Sequence, residues 1–367
     1  MRFAFVITSL FPTGGLQRDC VAIAELLSAM GHEVTIVTTD YREEMAAGAA
    51  RIEVWQVRGL TKTGQVRSLS AALGAARDRF DRIVAFSKVP GADIYYCADP
   101  PRADIHRSRF GLATLPGGLT QVEGEIFGPQ AATSLIVLAA HQVETYRRAW
   151  ATPESRFRIL PPTLAPARRQ PEAGAPGRAA IREALGVDGE APVWLAVASA
   201  PRTKGMDRTV EALPAYPAAT LLVAGTAPGG KSARWITRHA AHLSVDGRVK
   251  LLGYREDMPL LMAAADVLVH PARRETTGTT ILEALASGLP VITTAVCGYA
   301  PHVANADAGV VLAEPFRREE LLAALARAAN PATRERWSRN GLAYGSDPSL
   351  STGLAAAAEL MAGPLWA

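Results

Sequence analysis

The chain has 367 residues, of which 49% are hydrophobic and 20% charged, with a formal net charge of +4. At roughly 100–200 residues per domain this length predicts two domains, and the apolar content excludes a disordered chain. The charge is spread evenly, with 18 basic against 16 acidic residues up to position 165 and 21 against 19 beyond it, which excludes a nucleic-acid-coating protein and any strongly charged domain.

Residues 3–8 read as a first buried strand. The apolar run is too short for a signal peptide, and Phe11-Pro12-Thr13-Gly14-Gly15 follows it in place of a small-residue cleavage site. Residues 16–29 read as a helix, with Val21, Ile23, Ala24 and Leu27 near helical spacing, and residues 34–38, 83–86, 94–97 and 135–138 as strands. Strands alternating with helices predict an α/β protein with parallel sheet. Residues 161–177 carry five prolines and read as a linker. The alternation then restarts, with strands at 193–197, 220–224, 249–251, 267–270 and 291–294. Helices are predicted at 206–213, 233–243, 257–264 and 279–286. We expect a first domain over 1–165 and a second over 166–345. A final helical segment, 346–367, is expected to dock on the first. Two such lobes joined by a hinge predict a ligand-binding cleft outside the carboxyl ends of the strands.

Three single cysteines exclude a disulfide framework or zinc ribbon. No apolar run is long enough to span a membrane, so a cytoplasmic protein is expected, with the inner membrane face open to it. HExxH, GxSxG and Asp-x-Asp are all absent, which leaves hydrolase and metalloenzyme readings without support.

Three segments carry chemistry. In Glu275-Thr276-Thr277-Gly278-Thr279-Thr280-Ile281-Leu282-Glu283, two carboxylates flank a helix start whose free amides attract phosphate. They serve equally as two dipole-favoured glutamates near a helix start. Pro201-Arg202-Thr203-Lys204-Gly205 puts two cations at the end of a predicted strand, where they can neutralise a diphosphate or remain a solvated turn. Gly14-Gly15, between the first strand and first helix, allows a ligand close to the backbone. It lacks the GxGxxG spacing of a dinucleotide site. A fourth segment, Gly225 to Ser232, spells GxxxxGK[ST] with Lys231 in the lysine position. It makes a P-loop nucleotide hydrolase the alternative reading. Pro228 removes one amide donor from that loop, and no strand ending in Asp follows to hold Mg²⁺.

In this order the motifs resemble glycosyltransferase family 4, whose GT-B fold has two Rossmann-like lobes facing each other across a cleft. The resemblance is closer to the lipopolysaccharide core α-1,3-glucosyltransferase (glucosyltransferase I) branch. It is carried by residues 11–19, Lys88-Val89-Pro90-Gly91, residues 95–99, 159–162, 261–266, 288–291 and 294–300, and Glu314-Pro315-Phe316. It implies a retaining hexosyltransfer, with glucose from UDP-glucose moved onto an inner-core sugar such as heptose, and with no cofactor and no metal. It also implies that Lys204 and an arginine hold the diphosphate, with Gly278, Thr279 and Thr280 at the helix start. Glu283 is implied on the ribose, Glu275 on the donor sugar, and Gly14 and Gly15 near the phosphate. Asp19 and Asp99 are implied near the reacting centre, on the acceptor side. One departure stands out: the branch has Arg directly before the lysine, where this chain has Thr203, with Arg202 one step earlier. Region 103–132 is also less basic and aromatic than in that branch. Against this, six Arg and two Glu between Glu144 and Arg169 offer a patch for phosphorylated sugars or anionic lipid.

Overall fold

The computed structural model describes residues 1–12, 14–42, 48–102, 117–165, 168–169, 177–189 and 191–367. Thr13, most of the Pro-rich linker and residues 103–116 of the region compared above lie outside the described residues. The chain divides into two compact units: Met1–Pro162 with Thr352–Ala367, and Thr163–Ser351.

Among its described residues the first unit has nine strands: β1 (Arg2–Val6), β2 (Ser9–Leu10), β3 (Glu33–Thr38), β4 (Asp40–Tyr41), β5 (Arg51–Val54), β6 (Arg82–Ala85), β7 (Ile94–Cys97), β8 (Ser134–Val137) and β9 (Phe157–Ile159). Seven form a parallel sheet in the order β5-β3-β1-β6-β7-β8-β9, and β2 and β4 pair separately. Alternation along β1 feeds both faces. Phe3 and Phe5 enter a core with Ile23, Leu27 and Met361, while Ala4 and Val6 enter another with Leu69, Ile126 and Tyr146. Each such large side chain contributes about 1.5–3 kcal/mol on burial. The helix Gly353–Ala362 packs onto the first core through Ala357, Ala358 and Met361. Arg82 fastens it by donating Nη1 to the carbonyls of Met361 (2.7 Å) and Gly363, and Trp366 Nε1 donates to the Arg156 carbonyl at 2.7 Å.

The second unit holds β10 (Val193–Val197), β11 (Thr220–Ala224), β12 (Val249–Gly253), β13 (Val267–His270), β14 (Val291–Thr294) and β15 (Gly309–Leu312). They form a parallel sheet in the order β12-β11-β10-β13-β14-β15. In both sheets the order reverses at the first strand of the unit. The loops after β10 and β13 therefore leave the second sheet at its switch point, at the carboxyl ends of the strands, where ligands of such sheets bind. Every residue of β13 and β14 is buried, as a strand covered by helices on both faces requires. The ten strands expected from the sequence are all present, with ends within two residues of the expected ones. The edge strands β5, β9 and β15 were not expected from the sequence, nor were the helices Arg318–Ala329 and Pro331–Gly345.

Candidate active site

The switch point of the second sheet carries the predicted residues Lys204 and Glu275. Lys204 lies in the loop after β10, and Glu275 in the loop after β13. Gly205 lets the loops touch. It has φ 69°, and a Cβ there would stand 1.9 Å from the Pro271 carbonyl oxygen, so only glycine fits. Arg273 holds the pair of loops together, donating its backbone N–H to the Thr203 carbonyl at 2.8 Å and both guanidinium ends to Asp207 at 2.6 Å.

Within this frame the Lys204 ammonium donates to Glu275 Oε2, and His270 Nε2 lies 3.1 Å from the same oxygen. Burial alone would raise the Glu275 carboxyl, but His270 and Lys204 together hold it down to about 2. Burial likewise acts to lower His270. Hydrogen bonds to Cys297 and Glu275 override that and push it up to about 9. The result is an ordered row of cation, carboxylate and imidazolium at the mouth of β13. His270 ends the strand expected at 267–270, and its five-residue offset from Glu275 was the available signal for its place in the site.

The helix Thr279–Ala286 begins directly after this row. Gly278 takes φ 86°, and a Cβ there would crowd Ile281 and the Glu275 side chain at 3.0 and 3.3 Å. The helix has no side-chain cap, so its first amides are not satisfied by one. Thr279, Thr280 and Glu283 are half-buried while Ile281, Leu282, Ala284 and Leu285 are buried. Thr279 and Glu283, four apart, share one face. The backbone amides and hydroxyls at this helix start suit a phosphate or a sugar hydroxyl.

Arg202 does not join the row. It is exposed, and its guanidinium lies over the Trp235 ring at 4.6 Å from the centroid. Lys231, the lysine of the P-loop-like segment, opens the helix Lys231–His242 on that same side, after the loop that follows β11 and not at the switch point.

In the first unit, Gly14 and Gly15 precede and open the helix Gly15–Ala29. Gln17 folds back over Gly14, where a Cβ would meet its Oε1 at 1.7 Å. Beside Gly15 a Cβ would meet nothing within 4 Å, so the backbone there is open to a ligand. Asp19, one turn on, accepts a hydrogen bond from the Tyr96 hydroxyl at 2.9 Å. Its carboxyl is crowded by protein, and burial pushes it up to about 6 against the opposing pull of Tyr96 and Arg18. Asp99 is exposed, and its carbonyl takes the Tyr146 hydroxyl at 2.9 Å. The segment after it is held by a buried pair that sequence reasoning missed. Lys88 Nζ donates to Glu123 Oε1 at 2.7 Å and to the Pro100 carbonyl at 2.8 Å, and Glu123 also accepts the Arg102 N–H. Lys88 lay within a quoted motif, but nothing local in the sequence points to Glu123.

Among the described residues no group of three or more His, Cys, Asp or Glu side chains could hold a metal, and no helix is long and apolar enough to cross a membrane.

The two units with their parallel sheets have the GT-B fold. The chain belongs to the family described as "Glycosyl transferases group 1", which matches residues 177–343, and it is a nucleotide-sugar-dependent hexosyltransferase. It is similar along its whole length to the lipopolysaccharide glucosyltransferase WaaG of Escherichia coli (strain K12), with 34% identity over 376 residues and 100% of both chains covered. The crystal structure of WaaG, a glycosyltransferase involved in lipopolysaccharide biosynthesis, matches with a TM-score of 0.87 at 32% identity, covering 99% of this chain and 100% of that one. Anabaena Alr3699/HepE in complex with UDP and glucose matches with a TM-score of 0.79 at 19% identity over 99% of both chains, a likeness of fold. The P-loop hydrolase alternative finds no support in these relatives.

Proposed function

We propose that the protein moves glucose from UDP-glucose, with retention of configuration, onto an inner-core sugar of lipopolysaccharide such as heptose. The full-length similarity to a lipopolysaccharide glucosyltransferase supports the donor and acceptor classes. The observation that carries the chemistry is the placement of Lys204 at the switch point beside Glu275 and the start of the helix Thr279–Ala286.

When the glycosidic bond to the donor phosphate breaks, negative charge grows on the leaving diphosphate. In this reading Lys204 and the amides at Gly278, Thr279 and Thr280 meet that charge, the task a metal performs elsewhere. Glu283 accepts from the ribose hydroxyls. Glu275, held ionised by His270 and Lys204, accepts from hydroxyls of the donor sugar and so fixes its orientation. Gly14 and Gly15 let the first-unit loop approach the donor phosphate, and Asp19 and Asp99 serve the acceptor side. The acceptor hydroxyl attacks from the face the diphosphate leaves and passes its proton to the departing phosphate oxygen, without a covalent glycosyl-enzyme intermediate. Enzyme surfaces near Arg147, Arg148 and Arg158 meet the inner face of the membrane, where the acceptor is anchored.

A thermal-shift panel of UDP-, GDP- and ADP-sugars, followed by transfer assays on truncated lipopolysaccharide, tests this reading. UDP-glucose should stabilise most and should be consumed in the presence of EDTA. Greater stabilisation by GDP- or ADP-sugars assigns another donor and overturns it. A glycosyl-enzyme adduct seen by mass spectrometry overturns the single-step attack.

A further inference from the structure

A second cluster of cations in the same unit is not absorbed by that chemistry. The loop after β10 and the helix Lys231–His242 border an open hollow of about 500 Å³ lined by Arg202, Lys231, Arg234 and Arg238, with no carboxylate in its wall. Lys231, Arg234, Trp235 and Arg238 follow the i, i+3, i+4, i+7 spacing that places them on one helix face. Among the described residues none of the four cations has an ion-pair partner, although neighbouring arginines do: Arg273 holds Asp207, and Arg178 and Arg182 hold Asp266.

These side chains are nevertheless positioned. The Arg202 guanidinium lies over Trp235, which is itself stacked on His239 with ring centroids 6.0 Å apart and planes 5° from parallel. Arg234 Nη1 donates to the Gly229 carbonyl at 2.9 Å, and Arg238 Nε to the Arg234 carbonyl at 3.3 Å. Each arginine keeps further donors unengaged, since a guanidinium carries five. At the rim, the N-cap Gly230 offers no side chain to the first helix amides, and the Ser232 hydroxyl stands beside them. Four like charges around one hollow repel one another until an anion enters. Planar guanidinium forks match phosphate oxygens better than single charges do.

We propose that this cavity is a second anion site that takes the phosphoryl group of a phosphorylated saccharide, separate from the donor site at Lys204. The separation rests on the walls: Lys204, Glu275 and Glu283 do not line it, and Lys204 is engaged with Glu275. The choice of a saccharide rests on the function proposed above, and the volume exceeds what a bare phosphate ion needs, falling in the range of small-molecule pockets. The one-residue displacement of the arginine, from 203 to 202, then has a consequence: the guanidinium serves this pocket. The lysine of the P-loop-like letters serves it too.

Calorimetric titration of the full-length protein tests the inference, using glucose 6-phosphate, glucose, inorganic phosphate, UDP and phosphatidylglycerol vesicles as probes. Glucose 6-phosphate should bind, inorganic phosphate should compete with it, and glucose should not bind. The double variant Arg234→Gln, Arg238→Gln should weaken glucose 6-phosphate by about tenfold or more while UDP affinity stays unchanged. Both positions are exposed, so the variant should fold as the wild type does, and an unchanged Tm checks this. Equal affinity in variant and wild type overturns the site. Binding to vesicles alone moves the phosphate to a lipid headgroup and overturns the saccharide. Loss of UDP affinity in the variant makes the pocket part of the donor site and overturns the separation. Failure of the function proposed above is read independently, from UDP-glucose transfer by the wild type.

Discussion

Replacing Lys204 with Ala separates two roles that share one contact, a cation for the leaving diphosphate and a tie for Glu275. The Glu275 side chain is 11% exposed, and its carboxyl sits at about 2 instead of 4.5 because His270 and Lys204 outweigh its burial. At about 1.36 kcal/mol per pH unit that interval corresponds to roughly 3 kcal/mol favouring the folded, ionised state. A depressed carboxylate stabilises above its ordinary value, and its contribution is lost as the pH falls from 4.5 towards 2. At pH 7 the whole contribution is therefore present. His270 remains in Lys204→Ala, so urea unfolding at pH 7 should show a loss of about 1–2 kcal/mol. Turnover should behave differently. A cation missing from the leaving group costs about 10²–10³ in kcat, as loss of one oxyanion-type donor does. A Lys204→Ala enzyme within about tenfold of wild-type kcat would refute the catalytic assignment and leave Lys204 as a tie alone.

Three further substitutions probe the frame. Asp19→Asn tests the raised carboxyl: ionised Asp19 costs the folded state, so the wild type loses stability as pH rises through about 6. The variant should gain on it by up to about 3 kcal/mol between pH 4 and pH 8, and a gap in urea unfolding that does not widen with pH contradicts the burial argument. Gly205→Ala forces a Cβ onto the Pro271 carbonyl at positive φ, and should lower stability by about 2 kcal/mol or more and raise KM for the donor by displacing Lys204. An unchanged Tm and KM would show that the two loops do not need this contact. Lys88→Met strands Glu123, whose side chain is 1% exposed, and should cost about 3–5 kcal/mol, with Glu123→Gln in the same chain restoring much of it. Thermal denaturation of the single and double variants decides whether the pair is a structural tie.

The strands that were legible are those buried on both faces. β7, β10 and β13 present uninterrupted apolar runs between polar turns, and their expected ends match the observed ones. β5 and β9 carry Arg-Ile-Glu-Val and Phe-Arg-Ile at sheet edges, half exposed, where charged side chains interrupt the run and protect the edge. The helix Pro331–Gly345 hid for another reason. Its few apolar positions give it no continuous stripe, and only Trp337, Gly341 and Gly345 are buried. Its start was readable all the same, because Asn330 accepts from the Thr333 N–H and Pro331 occupies the first helical position.

The site was legible to the extent that its residues are ordered along the chain. Lys204, Glu275 and Glu283 could be assigned to loops and a helix start because each follows a recognisable strand, and parallel topology brings the ends of β10 and β13 to one edge. Side-chain direction and pairing are another matter, since they depend on neighbours distant in sequence. Glu275 is paired with a lysine 71 residues before it, and Glu123 is held by one 35 residues before it. Arg202 shows the limit most clearly. In the chain it stands two residues from Lys204, and charge alone assigns both to one phosphate. In the structure Trp235 draws its guanidinium to another hollow, because a flat cation gains more over an indole face than in water. A one-residue shift in a loop is enough to send the same functional group to a different hollow, and titration of an Arg202→Gln variant with glucose 6-phosphate and with UDP measures where that group now acts.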